Sequence, residues 1–156
     1  MKTTSLSDLK KDLRTLSPAE LTELCMRMAK YKKENKELLS YLLYDSSDER
    51  LYIKEVKILI DMGFDEINHD TFYYEKKSLR KILRTTNKYI KYSGLKQTEA
   101  ELLIYFCGKM KKSGIAYEKS VAMSNFYIRQ MGRIKKAVDS LHEDLQHDFE
   151  VELKKL

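Results

Sequence analysis

Apolar residues in this chain recur at intervals of three and four, the period of an α-helix with one buried face. Leu21, Leu24, Cys25 and Met28 form one such row, and Leu102, Leu103, Phe106 and Met110 form another. Start signals stand between the rows. Ser17-Pro18-Ala19-Glu20 joins a capping box to a proline at the first helical position. Ser46-Ser47-Asp48-Glu49 and Thr98-Glu99-Ala100-Glu101 repeat the box, Ser5 to Asp8 is a weaker version, and Asp70 or Thr71 can cap the segment after His69. Stop signals come from three glycines, each flanked by the apolar pair of a Schellman motif: Leu59 and Phe64 around Gly63, Ile90 and Leu95 around Gly94, Met110 and Ile115 around Gly114.

These signals predict a short helix near 6–14 and helices near 18–33, 35–45, 48–62, 71–93 and 98–113. A long final helix follows from about 119 to 153. Lys32 to Asn35 reads either as a turn or as a polar stretch of one longer helix. Short connections imply antiparallel neighbours. The expected fold is therefore all-α, a single domain over 1–156 of about six to seven antiparallel helices, with 1–5 frayed and 119–156 a long C-terminal helix. It is either a helical-hairpin bundle or a short superhelical stack of HEAT or TPR type. Leu21, Leu24, Cys25, Met28 and Lys30 match Leu103, Phe106, Cys107, Met110 and Lys112 at a constant offset of 82. The signature residues of those repeats are absent, so duplication and the ordinary likeness of amphipathic helices both stay open.

Composition narrows the class. Of 156 residues 42% are hydrophobic and 35% charged, enough for a core with long solvated helix faces. One proline and five glycines are too few for the tight turns of an all-β protein. No uncharged run approaches the roughly 18 residues of a membrane span. The start, Met1 to Asp8, lacks the apolar stretch of a secretory signal. Cys25 and Cys107 sit in apolar helical rows without CxxC spacing and read as two buried free thiols of a reducing compartment, which makes the expected location cytoplasmic.

Charge is concentrated in one place. The segment 72–96 holds Lys76, Lys77, Arg80, Lys81, Arg84, Lys88, Lys91 and Lys96 against the single acid Glu75, a net of +7, whereas the whole chain is +6 and the remainder sums to −1. At about 100° per residue the seven cations from Lys76 to Lys91 fall within an arc of roughly 140°. Leu79, Ile82, Leu83, Thr86, Tyr89 and Ile90 take the opposite side. Three readings compete. The stripe is a solvated face, or one compensated by the acids Asp139, Glu143, Asp144, Asp148, Glu150 and Glu152 of the tail. It is a nucleic-acid or other polyanion surface insensitive to sequence, with Arg80 and Arg84 as phosphate forks, Lys77, Lys81 and Lys88 as point charges, and Tyr73, Tyr74 and Tyr92 available for stacking. Or it meets an acidic protein.

In the final helix Tyr127, Met131, Ile134, Val138, Leu141 and Leu145 are spaced as a heptad seam. The seam either packs on the chain's own domain or forms a partner contact, so monomer and homodimer through the C-terminal helix are both open. Gly132 beside it offers close helix approach.

Candidate chemistry is sparse. His142 and His147 are separated by five residues rather than the four that put two imidazoles on one helix face for zinc. Glu66-x-x-His69 has the spacing of one half of a di-iron ligand set, and the other half is missing. Neither cysteine has a histidine in its local motif, and no phosphate loop is present. No catalytic residue, metal ligand or cofactor is assigned. The expected function is a noncatalytic helical interaction module for a protein or peptide partner, with nucleic-acid binding through 72–96 as the alternative. An enzyme would need a pocket gathering His69, Cys25 or Cys107 with carboxylates.

Overall fold

The computed structural model describes residues 4–156, and every regular element in them is helical. The α-helices are α1 (Leu6–Leu13), α2 (Pro18–Tyr31), α3 (Lys33–Leu43), α4 (Glu49–Asp65), α5 (Phe72–Ser93), α6 (Lys96–Lys112), α7 (Val121–Asp139) and α8 (Glu143–Leu153). Short 3-10 turns lie at Asp45–Ser47 and Tyr117–Lys119. None of the described helices is long and apolar enough to cross a membrane. The expected fraying of 1–5 falls, for 1–3, outside the described residues, and Ser5 caps α1.

Several helix ends follow from the capping rules. Ser17 and Glu20 form the reciprocal box at the start of α2, with Glu20 Oε2 accepting from the Ser17 amide at 2.8 Å. Asp48, two residues after the Ser46 of the expected box, caps α4, and Thr71 caps α5. Gly94 and Gly114 take left-handed φ values of 69° and 73°, as a Schellman-type stop requires. Lys32 is extended between α2 and α3, so the ambiguous polar stretch is a turn.

Three expectations are corrected. Gly63 does not end α4, which runs on to Asp65. A Cβ on Gly63 would stand 2.9 Å from Ile82 Cγ1, so this glycine is there to let α5 close on α4. The Thr98 box does not start α6, which begins at Lys96; Thr98 is fully buried and its hydroxyl donates to Glu49 at 2.5 Å. The long final helix is two helices. Ser140 turns its hydroxyl back to the Ala137 carbonyl at 2.6 Å, and Gln146 Nε2 donates to the carbonyls of Asp139 and Leu141 at 3.2 and 2.7 Å. Those bonds satisfy the end of α7 without a glycine or a proline.

Contacts among the described residues group the chain, expected above as one domain, into two compact units, Met1–Tyr44 and Asp45–Leu156. In the first, α2 and α3 pack as a hairpin, and Tyr41 is its one buried side chain among the described residues. Cys25 is exposed there, contrary to expectation. So are Leu24 and Met28, whereas Phe106 and Met110 at the 82-residue offset are fully buried. The two segments do not share an environment.

The second unit is built around α6. Ala100, Leu102, Leu103, Ile104, Phe106, Cys107 and Met110 are all buried, so α6 is apolar nearly all the way round. It packs against α4, α5, α7 and α8, while α4 also packs on α5 and α7 on α8. A helix touching four others makes this unit a bundle, because in a linear stack each repeat touches only its neighbours. Each large side chain removed from water on α6 stabilises the unit by about 1.5–3 kcal/mol. Polar ties fix the register. Glu49 at the start of α4 accepts from Ser93 and Thr98, both at 2.5 Å, and the Tyr52 hydroxyl donates to the Tyr89 carbonyl at 2.9 Å. On the α4–α6 face Asp61 accepts from the Tyr105 hydroxyl at 2.7 Å and pairs with Lys109 at 2.7 Å.

Two glycine substitutions test this packing with opposite signs. Gly63→Ala gains helix propensity, but its methyl meets the stiff β-branch of Ile82, so it should lower unfolding free energy by about 1–2 kcal/mol. Gly132→Ala meets nothing within 4 Å and should raise it by up to about 1 kcal/mol. Urea denaturation measures both, and a stabilising Gly63→Ala would refute the close α4–α5 crossing.

Candidate functional site

The cationic stripe is positioned by the opposite face of its own helix. Thr71 starts α5, its hydroxyl accepting from the Tyr74 amide at 3.4 Å, and Gly94 stops it. Leu79, Ile82, Leu83, Thr86 and Ile90 are buried, and the Thr86 hydroxyl is satisfied by the Ile82 carbonyl at 3.0 Å. Tyr89, read as part of the inner face, is only half-buried at its edge. With that face fixed in the core, Lys77, Arg80, Lys81, Arg84 and Lys91 are held outward and exposed. Lys76 and Lys88 are half-buried, with Nζ 5.0 Å from the centre of the Phe72 ring and 4.6 Å from that of Tyr89.

Compensation by the chain's own tail does not occur through direct pairing. Among the described residues Lys77, Arg80, Lys81, Arg84 and Lys91 make no ion pair, and none of the tail acids from Asp139 to Glu152 bridges to them. The reason is placement: α8, which carries most of those acids, packs on α6 and α7. Like charges at i,i+4 along the stripe each cost about 0.2–0.5 kcal/mol, reduced by salt screening. The ridge carries that cost with Lys77, Arg80, Lys81, Arg84 and Lys91 open to solvent.

A groove runs beside the ridge between α4 and α5. It has a volume of about 250 Å³ and an apolar lining from Val56, Leu59, Ile60, Met62 and Ile82. Lys81, Ser78 and Thr85 border it from α5. Helical geometry puts Lys81 at one edge of the stripe, with Thr85 and Ser78 next around the helix, so ridge and groove share Lys81. Leu59 and Met62 are 39% and 52% exposed, an apolar rim open to solvent. The volume falls below the roughly 300–1,000 Å³ of small-molecule sites. It is of the size of one or two side chains.

The heptad residues are mostly spent inside the unit. Ile134 and Val138 are buried, and Tyr127 stacks on Tyr117 with centroids 5.2 Å apart. Met131 is half-buried, and Leu141 and Leu145 lie beyond the end of α7. The six therefore do not form one continuous seam. Gly132, expected to permit close approach, has open space around it.

Elsewhere polar groups are occupied. Arg133 donates to Glu99, Asn87 and Gln130 at 2.8, 2.8 and 3.1 Å, tying α5, α6 and α7 together. Burial pushes the Glu99 carboxyl up, but its bonds from Lys96 and Arg133 outweigh that and hold it below the ordinary value. A hollow of about 770 Å³ brings His69 together with Asp65, Glu152 and Ser113. His69 Nδ1 is bonded to Glu75 at 2.8 Å, and the Ser113 hydroxyl donates to the Met110 carbonyl at 2.7 Å, so they make no nucleophile–base pair. Burial pushes the Cys107 thiol up to about 12, which keeps it from being a thiolate at neutral pH. Among the described residues no group of three or more His, Cys, Asp or Glu stands where it could share a metal ion.

Compared with protein families, curated proteins and solved structures, the chain matches none.

The lowered carboxyls set an acid limit. Because the folded values of Glu99 and Asp61 lie below their unfolded ones, their stabilisation is present above roughly pH 4 and lost as pH falls through the folded values. Unfolding free energy should therefore drop below about pH 4. A variant with Glu99→Gln and Asp61→Asn should be less stable at neutral pH and show a shallower acid loss in a denaturation series. An equally steep loss would assign the acid sensitivity to other groups.

Proposed function

We propose that this chain is a noncatalytic interaction module whose working face is the α5 ridge together with the α4–α5 groove, and that its partner is an acidic segment of a protein. The observation that carries the reading is the adjacency of a cationic ridge, in which Lys77, Arg80, Lys81, Arg84 and Lys91 make no ion pair among the described residues, and an open apolar groove sharing Lys81. Charge complementarity speeds encounter and sets register, while one or two desolvated side chains supply most of the affinity. Neither feature alone selects a protein. Together they favour a ligand with carboxylates beside apolar side chains.

A polyanion is the second reading, favoured by one feature. Tyr73 and Tyr74 are exposed at the start of α5, in edge-to-face contact at 5.5 Å, where bases can stack beside Lys77. Nucleic acid has no need of the apolar groove, and that difference separates the readings.

The test is fluorescence anisotropy with an amphipathic acidic peptide and with mixed-sequence DNA and RNA across a salt series. Reversing Lys77, Arg80, Lys81 and Arg84 to Glu should weaken the peptide at least about tenfold, a loss of about 1.4 kcal/mol. Changing the exposed rim residues Leu59 and Met62 to Ser should weaken it as well while leaving any nucleic-acid binding unchanged. Binding that ignores the rim and falls steeply with salt on nucleic acid alone would give the second reading the case.

A further inference from the structure

We infer that the ridge and groove of one molecule are also covered by α8 of a second copy of this chain, so that the chain self-associates through α5 and α8. The inference rests on the proposed working face and names an occupant for it. The sequence of α8 holds Glu143, Asp144, Asp148, Glu150 and Glu152 with no lysine or arginine. Asp144, Asp148 and Glu152 repeat at i, i+4 and i+8 and are exposed, Glu152 also lining the hollow that holds His69 and Lys111, and neither Asp148 nor Glu152 makes an ion pair among the described residues. One chain thus carries Lys77, Arg80, Lys81, Arg84 and Lys91 on α5 and Asp148 and Glu152 on α8, opposite charges that make no ion pair with each other among the described residues.

Their spacings agree. Arg80 and Arg84 stand one turn apart on α5, as Asp144 and Asp148 do on α8, a step of about 6 Å. Lys77 to Arg84 spans about 10 Å along the axis, and Asp144 to Glu152 about 12 Å. Carboxylates on alternate residues of an extended strand advance by about 6.7 Å and fall out of step over the same length. Val151 lies on the same outer side of α8 as Asp144 and is 42% exposed, an apolar tooth of the size the groove accepts. Phe149, on the other side, is buried and anchors α8 to its own molecule. A second copy therefore presents the carboxylates without unfolding anything. In a two-fold dimer each copy gives one α5 and one α8, so both ridges are used twice.

Sedimentation velocity of the full chain tests this at low ionic strength and at about 1 M salt, where the Debye length falls to about 3 Å. Wild type should form a dimer at low salt and dissociate at high salt. A variant with Asp144, Asp148 and Glu152 changed to Lys should dimerise at least tenfold more weakly, with its circular dichroism unchanged because those positions are exposed. A variant with Lys77, Arg80 and Arg84 changed to Glu should do the same, and an equimolar mixture of the two should regain association. A wild type that stays monomeric at low salt, or an α8 variant that associates like wild type, overturns the inference. The acidic peptide distinguishes it from the parent reading. A monomer that binds peptide sinks only the self-association, and a dimer that ignores peptide sinks only the proposed partner.

Discussion

The unit Asp45–Leu156 depends on keeping water away from α6. Leu102, Leu103, Phe106, Cys107 and Met110 are fully enclosed, and four neighbouring helices supply the enclosure. Enclosed this way, α6 does not tolerate rotation, because turning it would bring Glu99, Glu101 or Tyr105 into the interior away from their partners. Those partners, Arg133 for Glu99, Lys57 for Glu101 and Asp61 for Tyr105, mark where the polar margin of α6 meets α4 and α7. The apolar enclosure supplies the stability. The margin supplies the orientation.

From that orientation the proposed working face follows. With Leu79, Leu83 and Ile90 committed to the core, α5 has one rotational setting, and its cations have nowhere to go but outward. Gly63 then allows α4 near Ile82, and the shoulder between the two helices becomes the groove. Ridge and groove are thus consequences of the same packing rather than separate inventions. The Cys107 thiol and the Tyr117–Tyr127 stack belong to the interior and contribute packing.

How much of this was legible in the sequence depended on how local each feature is. The helices, Ser17, Thr71, Gly94 and the stripe were readable because caps and periodicity act within a few residues. Gly63 misled because Leu59 and Phe64 satisfy the Schellman spacing and are also ordinary residues of a continuing helix; only Ile82, nineteen residues away, explains the glycine. The α7–α8 break was hidden because Ser140 and Gln146 end one helix with side-chain bonds in place of a breaker residue. Thr98 resembled a cap, whereas its real partner is Glu49 on another helix. The groove had no local signature at all, since it arises where α4 meets α5. The near-complete apolar coverage of α6 from Ala100 to Met110 was present in the letters, and it is the signal that would have identified a central helix.

Hydrogen exchange of the unliganded chain, followed residue by residue, tests most directly whether α6 holds α4 and α5 as one platform. The α6 amides should exchange slowest, those of α4 and α5 should open only together with them, and α2 and α3 should open at lower free energy. Exchange of α4 and α5 independent of α6, or an α6 as fast as α2, would contradict a single platform.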